Sequence, residues 1–250
     1  MSLIGHLLAP QGEIMPLAFE TLPLTEAEAD ATYFVCEMKG GANANETGVG
    51  GGLTGANLDL TRFGTVGAAS SDWRDVSAAS GFNVTSAWAN AFVRNASGFT
   101  ILHHMKNCGG GGALFYLYSE SPSTLYLRLN ANVFGAYGYG KFGISLNTST
   151  ATLGDLLPTA NEFWTLASVD YINELAFVGI SSGVDQPAAL TDFTVYGVST
   201  LPQAPIASAI TLSADFFSLV GAAAATGEQN PAFSIKSITA KLGASVTLVA

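Results

Sequence analysis

"FTILHHMKNCGGGGALFYLYS", residues 99–119, decides how the chain is read. Two histidines and a cysteine stand beside four glycines, so the stretch could be a metal site, a catalytic corner or a turn between strands. As a strand, "GFTILHHMK" sends consecutive side chains to opposite faces. His103 then sides with Phe99, Ile101 and Met105, and His104 with Thr100, Leu102 and Lys106. Two such imidazoles cannot readily chelate one ion. A zinc site would need three or four ligands at spacings such as C-x2-C or H-x3-H, and neither spacing occurs. The glycines then serve as a turn that needs backbone freedom, and the expectation is a hairpin into "ALFYLYS". A Cys108–His104 nucleophilic dyad is the catalytic alternative, and a small buried thiol near a turn is the structural one.

Working outward, the period-2 signal recurs. In "TLYLRLN", Leu125, Leu127 and Leu129 alternate with Tyr126, Arg128 and Asn130. "GFNVTSAW" places Phe82, Val84 and Trp88 on one face, "KFGISLN" spaces Phe142, Ile144 and Leu146 by two, and "TDFTVYG" pairs Phe193 with Val195. Clusters of Gly, Ser, Asn and Pro separate these runs, as in a sandwich or barrel of short strands. Helical signal is confined to Thr25 and Glu28, a capping-box pair opening at most one short helix. The glycine-rich stretch 40–57 reads as a flexible loop, since its irregular glycines precede no helix and do not form a phosphate cradle.

Composition narrows the function. Of 250 residues only 11% are charged and 48% are hydrophobic, and the net charge is −10. So few charges suggest that part of the surface is buried in an assembly. Nucleic acid is a poor partner for an acidic chain. No unbroken apolar run reaches membrane-spanning length, so no membrane insertion is expected. The start, broken by Pro10 and Pro16 and without a basic region, does not read as a signal peptide. Cys36 and Cys108 are expected as free thiols. Four Asn-x-Ser/Thr triplets, at Asn45, Asn83, Asn95 and Asn147, carry little weight in a chain this rich in Ser and Thr. Glu162 and Asp170, eight residues apart on a strand, stand too far from each other to act as paired carboxylates.

Three segments are expected: 1–54, an N-terminal segment with the glycine-rich loop; 55–202, the sandwich; and 203–250, a β-rich C-terminal extension beginning after Pro202 and Pro205. The last either completes the main sheet or pairs with a neighbouring subunit.

The succession "FNVTSAWANAFVR", "GFTILHHMKN", "EFWTLASVDYINELAFVGI" and "DFTVYGVSTLP" resembles the laminin-G-like, concanavalin A-like jelly roll, with Trp164, Ala167, Tyr171 and Leu201 matching its outline. The resemblance implies an all-β, two-sheet antiparallel jelly-roll sandwich. The family's Asp-Gly hairpin, calcium-site acids and the Glu-x-Asp-x-x-Glu strand of its glucanase branch are missing here, so neither a metal, another cofactor nor a catalytic residue is expected. Such modules occur in phage tail, fibre and capsid-surface proteins. The chain most resembles that class: a non-enzymatic virion protein in a homo-oligomer, contacting other virion subunits and a host-surface glycan. The competing reading is a carbohydrate-binding, lectin-like module. Its candidate platform is Tyr137 and Tyr139 in "AYGYG", with Trp73 as a further ring, although the same aromatics could cover an edge or fill the core. The acidic net charge favours neutral over anionic sugars.

Overall fold

The computed structural model describes residues 6–8, 14–50, 58–94, 97–108, 112–118, 126–132, 141–146, 149–154, 162–173, 175–193, 195–200, 217–221 and 232–249. In chain order the strands are β1 (His6–Leu8), β2 (Ile14–Phe19), β3 (Tyr33–Glu37), β4 (Glu46–Gly50), β5 (Leu58–Phe63), β6 (Arg74–Val76), β7 (Gly81–Asn83), β8 (Gly98–Lys106) and β9 (Gly112–Tyr118). They continue with β10 (Tyr126–Asn132), β11 (Lys141–Leu146), β12 (Ser149–Gly154), β13 (Phe163–Asp170), β14 (Leu175–Ser182), β15 (Val195–Thr200), β16 (Phe217–Val220), β17 (Phe233–Leu242) and β18 (Val246–Leu248). One helix, α1 (Ser86–Arg94), interrupts them. Among the described residues no helix is long and apolar enough to cross a membrane.

All strand pairs are antiparallel, and the architecture is the expected two-layer jelly-roll sandwich. One layer runs β3-β17-β8-β13-β14-β15 and the other β5-β7-β16-β9-β10-β11-β12. β4 joins them, pairing with β3 on one side and β5 on the other. A small sheet, β1-β2-β18, stands apart from this path.

The main core lies between the layers. Phe34 and Cys36 of β3, Phe99 and Ile101 of β8, Phe163 and Ala167 of β13, and Ile235 and Ile238 of β17 meet Leu60, Phe82 and Leu219 of the other layer. A second apolar cluster covers the outer face of the first layer. There Leu102, Trp164, Leu166 and Phe177 lie under Leu17, Leu22, Phe193 and Val246. β8 and β13 are therefore buried on both faces, and β13 is buried at every position. This explains why "FTILHHM" and "FWTLASV" read as near-continuous apolar runs rather than clean alternations.

Several expectations change. β8 and β9 do not form a hairpin. β8 pairs with β13 and β17, whereas β9 pairs with β10 and β16, so the chain after Cys108 crosses from one layer to the other. Asn107, at φ 57, turns it out of β8. Trp88 is not on the strand of Phe82, which ends at Asn83, but on α1. Thr85 caps this helix, accepting from the Trp88 N–H at 3.3 Å, and Trp88, Ala89 and Phe92 form its buried face. Phe193 follows a 3-10 turn at Leu190–Asp192 and precedes β15.

The capping pair Thr25 and Glu28 is present on a single 3-10 turn, with the Glu28 carboxylate accepting from the backbone N–H of Leu24 and Thr25 at 3.1 Å each. The glycine-rich loop contains β4, whose Gly48 lies flat against the Phe34 ring. β3 and β4 of the first segment lie in the main sheet, and so does β17 of the last, between β3 and β8.

Candidate functional site

The register places one row of side chains across the outer face of the first layer. His104 of β8 stands directly opposite Trp164 of β13 and opposite Ser237 of β17. β6 extends the sheet beyond the end of β3 along the same edge of β17, with Arg74 opposite Ile235. Arg74 points to the inner face, so Trp73, one residue earlier, goes to the outer face beside His104. Alternation along β8 and β13, with the turn into β6, thus gathers Trp73, His104 and Trp164 into one aromatic corner.

The His104 ring stacks on Trp164 with centroids 3.6 Å apart and planes at 14°, and it meets Trp73 edge-on at 5.0 Å. Lys106, next on the same face of β8, holds its ammonium 4.3 Å from the Trp73 ring centroid. Glu162, just before β13, brings Oε1 to 2.6 Å from His104 Nε2. That contact lies outside hydrogen-bond geometry, and the ring nitrogen has no hydrogen-bond partner. Burial between the two indoles pushes the His104 pKa down to about 3, and the nearby Lys236 ammonium pushes it the same way. The Trp164 indole N–H is likewise buried without a partner. The corner reaches solvent through Glu162, whose side chain is 25% exposed, and through the half-buried Lys106 and Lys236.

His103 has the opposite fate. Its ring lies between the layers, donating from Nε2 to the Leu219 carbonyl at 2.9 Å, with Nδ1 3.3 Å from the Thr165 hydroxyl. Burial lowers its pKa to about 4, with the Leu219 hydrogen bond opposing the shift. The two histidines face away from each other, as strand alternation requires. Cys36 and Cys108 are both buried, and burial raises the Cys36 thiol well above its usual range. Glu162 and Asp170 sit at opposite ends of β13. Asp170 closes the following turn by accepting from the N–H groups of Ile172 and Asn173. Among the described residues no group of three His, Cys, Asp or Glu side chains could hold a metal ion.

Of the expected binding residues, Tyr137 and Tyr139 lie outside the described residues. Trp73 is only 9% exposed, with Lys106 over its ring, so it is a covered ring rather than an open platform. Sequence reasoning missed His104 and Trp164 as its neighbours, and Glu162 and Lys106 as their polar rim. Alternation alone could have put His104 with Lys106 and Trp164 with Glu162. The pairing of the two strands, a contact across about sixty residues of chain, was not readable.

No protein-family model and no curated protein sequence matches the chain. Solved structures with a similar fold include the CBM40 of the Ruminococcus gnavus IT-sialidase, at 13% identity over 68% of this chain and 89% of that one, TM-score 0.37. The botulinum neurotoxin type C structure, described as entering cells by interaction with two ganglioside molecules, matches at 8% identity over 88% of this chain and 50% of that one, TM-score 0.48. Basic winged bean lectin with Tn-antigen matches at 12% identity over 93% of this chain and 98% of that one, TM-score 0.33. All three are similarities of fold alone.

Proposed function

We propose that the protein is a non-catalytic carbohydrate-binding module. The observation that carries this reading is the outer-face corner. It sets Trp73, His104 and Trp164 beside a carboxylate and two ammonium groups, with the buried Trp164 indole N–H lacking a hydrogen-bond partner. A sugar offers the matching chemistry: a C–H face for an aromatic ring, and hydroxyls that both donate and accept. Glu162 would accept from a hydroxyl, and Lys236 would donate. Tyr137 and Tyr139 belong to the same proposal as a second pair of rings.

The test is binding of the whole chain to an array of immobilised oligosaccharides, with hits measured by calorimetry. Binding that falls at least tenfold in Trp73→Phe or in the Tyr137→Ala, Tyr139→Ala double variant, at unchanged melting temperature, is the expected result. A blank array would overturn the reading. Residence on a virion surface in a homo-oligomer is a separate proposal drawn from composition and resemblance. It is tested by light scattering, where a monomer at all concentrations would count against it.

A further inference from the structure

Trp73 and Lys106 hold an arrangement that the glycan reading does not by itself require. The ring belongs to the turn before β6, where Ser70 and Trp73 pair across a tight bend and Ser71 and Asp72 adopt left-handed backbone at φ 50 and 66. Its position is fixed on the far side by Arg74, whose guanidinium is fully buried and bound to three backbone carbonyls. One edge meets His104. A ring face takes the Lys106 ammonium. The ring is thus held by a rigid frame behind and by a flexible side chain in front.

Lys106, like Arg62 and Lys236 among the described residues, has no ion-pair partner. Lys39, Arg74 and Lys241 each pair with a carboxylate. Among the described residues Lys106 has no carboxylate within ion-pair distance, and its ammonium rests on an indole instead. It ends β8, is half-buried, and has four rotatable bonds with which to swing outward. An ammonium over an indole face occupies the place that the C–H face of a pyranose takes when it stacks, and both are drawn there by the electron-rich ring.

We propose that Lys106 is a displaceable cover on Trp73: it occupies the stacking position in the free protein, and a neutral sugar takes that position on binding. The inference rests on the glycan reading and names the neutral pyranose as its ligand class. Glu162, on the neighbouring strand, then meets a hydroxyl at the edge of the stacked ring, while the displaced ammonium moves into water. Because the cover must be removed before the ring can be used, Lys106 lowers affinity.

The consequence runs against the usual effect of deleting a polar residue from a site. Lys106→Ala should bind neutral gluco-, galacto- or manno-configured oligosaccharides about threefold to tenfold more tightly than the parent, the range a single cation–π contact accounts for. An independent readout needs no sugar. Trp88 and Trp164 are 3% and 2% exposed, so a rise in acrylamide quenching in Lys106→Ala reports Trp73 alone, and Lys106→Ala, Trp73→Phe should lose that rise. Tighter binding together with increased quenching supports the proposal. Equal or weaker binding by Lys106→Ala overturns it while leaving the glycan reading intact. Unchanged quenching also overturns it, because the ring would not have been covered. An array blank for both parent and Lys106→Ala would overturn the glycan reading, and the cover with it.

Discussion

Replacing Arg74 by alanine should destabilise the sandwich more than any surface substitution, because its guanidinium is the fully buried centre of a clamp. Nε donates to the Gly67 carbonyl at 3.0 Å, Nη2 to those of Gly41 and Ala44 at 2.8 and 3.3 Å, and Nη1 to the Glu46 carboxylate. These contacts tie the loop of residues 40–46 and the stretch after β5 to the edge of β17, with the Phe82 ring 5.1 Å from the guanidinium carbon. Arg74→Ala leaves the Glu46 carboxylate, whose side chain is 6% exposed, without its ion-pair partner. Breaking one half of a buried pair costs about 3–5 kcal/mol, a large share of the roughly 5–15 kcal/mol that holds a domain folded. At about 2–4 °C per kcal/mol for a chain of this size, the melting temperature should fall by about 6–20 °C. Removing both charges together, in Arg74→Met, Glu46→Leu, should recover most of that loss, since no ion is then stranded. Thermal melts of the parent, the single and the double variants measure both quantities. If Arg74→Ala melted within about 2 °C of the parent, the clamp would carry no net stability and the argument would fail.

Three further outcomes follow from the same geometry. His103 binds its proton less readily folded than unfolded, with its pKa near 4 instead of 6.5. Stability should therefore be full above about pH 6.5 and decline as pH falls toward 4, by about 3 kcal/mol for this group, and urea midpoints of His103→Gln across that window should show a shallower slope. Gly48→Ala would put a methyl carbon 2.1 and 2.2 Å from two atoms of the Phe34 ring, so the ring must move, and a loss of about 1–3 kcal/mol is expected in chemical denaturation. A chain ending at residue 205 lacks the strand between β3 and β8 and should not fold, which a flat near-ultraviolet dichroism spectrum would show; a folded, melting truncation would mean that β3 and β8 can close over the gap.

The parts of this fold that were legible are those whose apolar residues alternate along the chain. "TLYLRLN" and "KFGISLN" alternate, and they are β10 and β11, paired with each other. The hidden parts each have a physical cause. β4 contains Gly48 and Gly50, and a strand without side chains gives no period. α1 was masked because Phe82, Val84 and Trp88 fit a spacing of two up to Thr85, where the chain is capped and becomes helical; only Trp88, Ala89 and Phe92 taken together show the helical stripe. The glycines after Cys108 suggested a hairpin because local turns are the commonest use of such a run. What decides between a hairpin and a layer crossing is the partner of β8, and that partner comes from residues 163–170 and 234–242.

The candidate site shows the same division between local and distant information. That His103 and His104 point apart follows from strand geometry, and it separates a histidine locked between two sheets from one placed among tryptophans. Trp73 was legible as a ring of interest but not as a covered one, because its cover, Lys106, lies on another strand thirty-three residues on. The neighbouring Arg74 explains why the ring is where it is: four acceptors hold its side chain inward at the start of β6, and the residue before it turns outward. A change at Arg74 should therefore be felt in binding as well as in stability. Arg74→Lys keeps one ammonium for Glu46 but lacks the planar fork that reaches the carbonyls of Gly41, Ala44 and Gly67. Its turn should loosen, its Trp73 should become more accessible to acrylamide, and its affinity for a stacked sugar should fall even at temperatures where the sandwich is still folded. Parent-like quenching and affinity in Arg74→Lys would show that the turn of residues 70–73 holds the ring unaided.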